Sequence, residues 1–143
     1  MSEEFDVDGL VRLGQALAEF DERAAEVIRL HAALDREMEI ALSRIVVAPQ
    51  YLRRLGFGQK IDLIHALEGD LVDGLTAGLG AFNELRNSIG HGEEKRIVDG
   101  HQSRLFRTFE AAIPMYGESK LLETQIGNVA AGLFGMLARV GRK

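Results

Sequence analysis

Seven consecutive residues, Arg86-Asn87-Ser88-Ile89-Gly90-His91-Gly92, carry the sharpest chemical signal in this sequence. A guanidinium offers a planar fork of donors to phosphoryl oxygens. An imidazole takes or gives a proton near neutral pH, and a carboxamide can hold a phosphate or fix an imidazole tautomer. Arg86, Asn87 and His91 therefore suit phosphodiester chemistry that needs no metal. In that chemistry His91 takes the proton of a ribose 2′-OH or returns one to the leaving oxygen, while Arg86 meets the charge growing on the phosphoryl group. A hydroxyl nucleophile supplied by the substrate restricts such an activity to RNA. On an unbroken helix Asn87 and His91 share a face, whereas Arg86 and His91 stand about 140° apart. A helix ending at Gly90 lets the chain swing His91 back towards Arg86. The same spacing also fits a plain helix C-terminus, with Arg86 paired to a carboxylate and His91 near the last carbonyls.

The other histidines offer less. His31 falls on an apolar stripe between Val27 or Ile28 and Leu34, where packing in a core or interface is the ordinary role. His65 follows Ile64, and His101 precedes a fourth apolar stripe. No two histidines have the spacing of a metal site on one helix, and the nearby acidic residues are scattered, so neither metal nor cofactor is expected. The sequence has no cysteine, which rules out disulfides, thiolate metal sites and a cysteine nucleophile. The glycines from Gly74 to Gly80 lack the Lys-Ser/Thr of a phosphate-binding loop and are expected to permit close helix packing.

The elements that must position these residues read as helices. Apolar residues at Leu17, Phe20, Ala24, Val27, Ile28, Leu34, Met38, Ala41, Leu42 and Ile45 recur at helical spacing and predict one long helix, stopped by Pro49. Asp8 to Leu17 reads as a separate helix or an extension of it. Phe57, Ile61, Ile64 and Leu67 mark a second helix after Gly56. Val72, Leu75, Leu79, Phe82, Leu85 and Ile89 give a third, ended by Gly90 and Gly92. Gly92 to Gly100 reads as a loop, Ser103 to Ile113 as a fourth helix broken by Pro114 and Gly117, and Leu122 to Val140 as a last one. The strongest strand candidate, Ile45-Val46-Val47, is too short to count. The expectation is an all-α, up-and-down antiparallel bundle of four main helices plus one or two short ones, in a single domain spanning residues 1–143.

Composition narrows the function classes. With 143 residues, 46% of them apolar, the chain can bury a continuous core. The acidic start, Met1-Ser2-Glu3-Glu4-Phe5-Asp6, does not resemble a signal peptide, and no apolar run approaches the ~20 residues of a membrane span, so a cytoplasmic location is expected. A net charge of −5 argues against indiscriminate nucleic-acid binding. The charge is uneven, however. Acidic residues crowd the first 26 positions, whereas Arg86, Lys95, Arg96, Arg104 and Arg107 gather around and after the Arg86 segment, which leaves room for a local basic patch.

The segment from Phe57 to Gly92 resembles the HEPN family, whose signature is Arg, then Asn, Asp or His, then a few residues, then His at a helix end. Here it reads Arg86-Asn87-Ser88-Ile89-Gly90-His91. Phe57-Gly58-Gln59-Lys60-Ile61-Asp62-Leu63 is similar to the opening of the preceding helix in that family, and Phe82-Asn83-Glu84-Leu85 to the approach to the motif. The resemblance implies a helical homodimer whose two motifs face one cleft. In active members it implies metal-independent RNA cleavage in toxin, defence or RNA-processing systems, which adds an antitoxin or other protein to the expected partners. Many relatives of that family are non-catalytic modules, and a dimer binding a nucleotide, RNA or partner protein is the alternative.

Overall fold

The protein is seen in a computed structural model that describes residues 7–19, 21–112 and 125–142. Among these residues it is all-α: six α-helices and two 3-10 helices, with no strand. The α-helices are α1 (Val7–Glu19), α2 (Ala24–Ser43), α3 (Phe57–Glu68), α4 (Asp73–Gly90), α5 (Lys95–Ala112) and α6 (Ile126–Leu137). The 3-10 helices span Pro49–Arg54 and Gly69–Val72. No described helix is long and apolar enough to cross a membrane. The expected helix break at Pro114 and Gly117, and the start of the last stripe at Leu122, lie outside the described residues.

The core is built around α4, which packs against α2, α3, α5 and α6. Its stripe of Leu75, Leu79, Phe82, Leu85 and Ile89 is buried. It meets Val27, Leu34, Met38 and Leu42 of α2, Leu105 and Phe109 of α5, and Val129, Leu133 and Leu137 of α6 in one cluster. Truncating a fully buried leucine of this set to alanine costs about 2–5 kcal/mol. Close approach of the helices depends on missing side chains, as the sequence suggested. A Cβ on Gly78 would stand 2.8 Å from Leu133 Cδ2, and one on Gly132 would meet the Phe109 ring. The site-bearing helix is thus held on several sides.

Three element boundaries differ from expectation. Of the two possibilities for Asp8 to Leu17 the separate helix, α1, is present, and the long helix starts at Ala24 rather than Leu17, because the chain turns at Glu22 and Arg23. There the Asp21 carboxylate accepts the Arg23 N–H at 2.9 Å and grips the Arg23 guanidinium at 2.6 and 2.7 Å, a local alternative to helical hydrogen bonding. Pro49 does not stop α2, which ends at Ser43; Pro49 instead opens the 3-10 helix, where a missing N–H costs nothing. Beyond Ser43 the helix gives way to a turn, and Arg44 donates to the Leu137 and Val140 carbonyls at the end of α6. Finally, most of Gly92 to Gly100 is not a loop. Glu94 accepts the Ile97 and Val98 amides, α5 starts at Lys95, and the fully buried Val98 anchors its first turns in an otherwise polar stretch.

Candidate functional site

The Arg86 segment forms the last turns of α4. The helix runs through Gly90 and closes in a Schellman turn: the Glu93 N–H donates to the Ser88 carbonyl at 3.2 Å and the Gly92 N–H to the Ile89 carbonyl at 3.0 Å. The residue with left-handed geometry is Gly92, with φ of +66°. The buried Ser88 hydroxyl donates to the Glu93 carboxylate at 3.1 Å and ties the turn to the helix. His91 keeps a helical conformation, φ −85° and ψ −1°, and its N–H donates to the Asn87 carbonyl at 2.9 Å. The expected swing of His91 towards Arg86 therefore does not occur, since the turn comes at Gly92, after His91. His91 stays about 140° round the helix from Arg86, with Asn87 about 40° from His91. Asn87 and His91 are exposed and Arg86 is half-buried.

Arg86 makes no ion pair or side-chain hydrogen bond with any described residue. Two carboxylates on α4 and α2 are paired with other residues: Glu84 with Arg104 at 3.0 Å, and Asp35 with Lys60 at 2.8 Å. The carboxylate partner that a plain helix end would supply is missing. The guanidinium instead lies along α4 over Gly90, where a Cβ would stand 2.8 Å from Nη1.

The structure brings to this face a residue that sequence reasoning assigned to packing. His31 of α2 stacks on Phe57 of α3, ring centroids 3.9 Å apart and planes 20° apart, as a core histidine would. Its Nε2 also lies 2.9 Å from Oδ1 of Asn83, three residues before Arg86. Burial, joined by the Arg86 charge, holds the His31 imidazole below its ordinary pKa of 6.5; the Asn83 bond and Asp35 oppose this. The available signal was the position of Asn83, one helical turn before Arg86, but nothing in the sequence pairs it with His31.

A second grouping also escaped the sequence. His65 at the end of α3, Asp70, and Asp73 at the start of α4 place potential metal-ligand atoms within 4.8 Å of one another across the Gly69 turn. All three are exposed; the His65 ring sits 3.6 Å from Asp73 and 3.3 Å from the Thr76 hydroxyl. Local contacts thus already account for the arrangement. His101 is half-buried on α5.

Compared with protein-family models, with curated proteins and with solved structures, the chain finds no match.

Proposed function

We propose that this protein is a HEPN-like RNA-binding protein that acts as a homodimer and cleaves RNA without a metal. The observation that carries the reading is Arg86, a half-buried residue whose guanidinium has no ion pair among the described residues and which shares its helix end with Asn87 and His91. A guanidinium without a carboxylate partner is suited to an anion from outside, and the family resemblance makes that anion an RNA phosphate. In the reaction an imidazole of His91 takes the 2′-OH proton and O2′ attacks phosphorus. The P–O5′ bond breaks, leaving a 2′,3′-cyclic phosphate, and the departing 5′ oxygen takes up a proton. Because the helix carries Arg86 and His91 to different sides, a cleft between two copies is the arrangement in which both kinds of group meet one phosphate.

The same divergence favours a second reading, a dimeric module that binds RNA, a nucleotide or a partner protein such as an antitoxin through Arg86 and Asn87 without cutting. A cleavage assay in excess chelator separates the two. The expected outcome is cyclic-phosphate product from single-stranded RNA and none from DNA of the same sequence. His91→Ala should reduce the rate by ~10²–10⁴, and Arg86→Lys should not restore parental activity, because an ammonium lacks the fork. RNA left intact by the purified parent, or cut at parental rate by His91→Ala, excludes the ribonuclease. The binding module then requires Arg86→Ala to release RNA or a partner without unfolding.

A further inference from the structure

Asn83, Arg86, Asn87 and Gly90 are spaced three, one and three apart and lie on one side of α4, so their side-chain groups follow one another along the helix. A carboxamide presents an acceptor at one end and two donors at the other, and an anion is held only by the donor end. Which end of Asn83 faces outward is decided by His31. With the ring neutral at neutral pH, as burial and the Arg86 charge favour, its single N–H must sit on Nε2 to donate to Asn83 Oδ1 at 2.9 Å. Stacking on Phe57 fixes the plane of the ring and hence the direction of that bond.

We propose that His31 is a positioning residue whose Nε2–H commits the Asn83 oxygen, leaving the Asn83 N–H₂ on the same side of α4 as the Arg86 guanidinium, so that the two form a donor-only cradle along which the phosphates of the RNA strand are held. This rests on the reading of Arg86 as a phosphate ligand. The charged groups that act on the ring are Asp35 on its own helix, ion-paired with the Lys60 of α3 that it shares with Glu39, and Arg86 of α4, the cation the cradle uses. Gly90 completes the cradle by leaving the space over which the guanidinium lies.

The test is the affinity of a fluorescein-labelled oligouridylate, measured by anisotropy for the parent and its variants. His31→Leu keeps an apolar side chain against Phe57 but removes the donor, and should weaken binding roughly five- to tenfold, the worth of about one net hydrogen bond. His31→Gln keeps an amide donor and should stay near the parent. Asn83→Leu should match His31→Leu, and the double variant should be no weaker than either single one, because both act through one amide. In parallel, inorganic phosphate should shift the Asn83 side-chain amide signals in NMR spectra of the parent and of His31→Gln, but not of His31→Leu. Parental affinity in His31→Leu, or additive losses in the double variant, overturns the role of His31 while the RNA reading stands. If the parent binds no RNA but phosphate still moves the Asn83 signals in the His31-dependent way, the cradle stands and the RNA reading falls. If phosphate moves nothing, the cradle falls too.

Discussion

Gly90 is where stability and function pull in opposite directions. An exposed glycine inside a helix costs roughly 0.5–1 kcal/mol relative to alanine, so Gly90→Ala should leave the fold as stable or slightly more so. The new methyl would meet only the far end of the Arg86 side chain, 2.8 Å away, and the guanidinium would swing aside at little energetic cost. If that guanidinium holds a phosphate, displacement by about 1 Å should still reduce RNA cleavage or binding on the order of 10–100-fold. Unfolding in urea together with an RNA assay checks both halves; an alanine variant with parental activity would mean that the position of Arg86 over Gly90 is incidental. Residues 86, 87 and 91 could be picked out from sequence because their types and spacing are local properties. His31 and Asn83 could not be paired, since 52 positions separate them and each alone fits ordinary packing. The helix end at Gly90 and Gly92 was legible from the glycines, but the two are equally permissive, and only the Schellman hydrogen bonds put the left-handed residue at Gly92, past His91.

Between elements, α2 and α3 are joined by a buried cation. The Lys60 ammonium, its side chain 2% exposed, lies 2.8 Å from both Asp35 and Glu39, which sit one turn apart on α2 with side chains 39% and 34% exposed. The asymmetry of burial sets the expected mutational response. Lys60→Met removes a buried charge and leaves two carboxylates that can reach water, so its cost should be small, about 1 kcal/mol or less. Asp35→Ala with Glu39→Ala strands the ammonium in the core and should cost about 3–5 kcal/mol. Denaturant midpoints for the two variants decide the matter, and equal losses would show that burial does not govern this bracket. None of this bracket could be read in advance, because Lys60 occupies a polar-looking position whose burial comes only from packing. The boundary errors have the same origin. The apolar period showed where helices lie, but the break at Asp21 and the early end of α2 come from side chains that bond locally or to another helix. The start of α5 at Lys95 was hidden because one buried residue, Val98, anchors an otherwise polar stretch.

At the scale of the molecule, the homodimer reading predicts about twice the chain mass by light scattering, since one copy offers half a cleft. Exposed apolar side chains of α1, Val7, Leu10, Val11 and Leu13, each 48–65% exposed, are surface that association would take from water. A strict monomer at micromolar concentration removes the composite cleft. Among the described residues four groups are shifted; Arg23 stays charged throughout the accessible range, so stability as a function of pH depends on the other three. Hydrogen bonding to Arg23 holds Asp21 below its ordinary 3.8, so its contribution is present above that value and is lost as pH falls through the folded pKa. Burial would lower Lys60, but the bonds to Asp35 and Glu39 outweigh it and raise the group above 10.5; that contribution is present below 10.5 and is lost as pH rises through the folded value. His31 moves the other way. Its folded pKa lies below 6.5, so on acidification the unfolded chain takes up a proton near 6.5 that the native chain still refuses. The unfolded state then binds more protons, and stability falls as pH drops below 6.5 towards the folded value. The expected profile is a plateau between about 6.5 and 10.5 with a first decline on the acid side that belongs to His31. Urea unfolding of the parent and of His31→Leu at a series of pH values tests the assignment. The leucine variant should lose the slope just below 6.5 and keep the steeper decline near the carboxylate range. If the parental slope survives in His31→Leu, the half-buried imidazole is not the group that titrates.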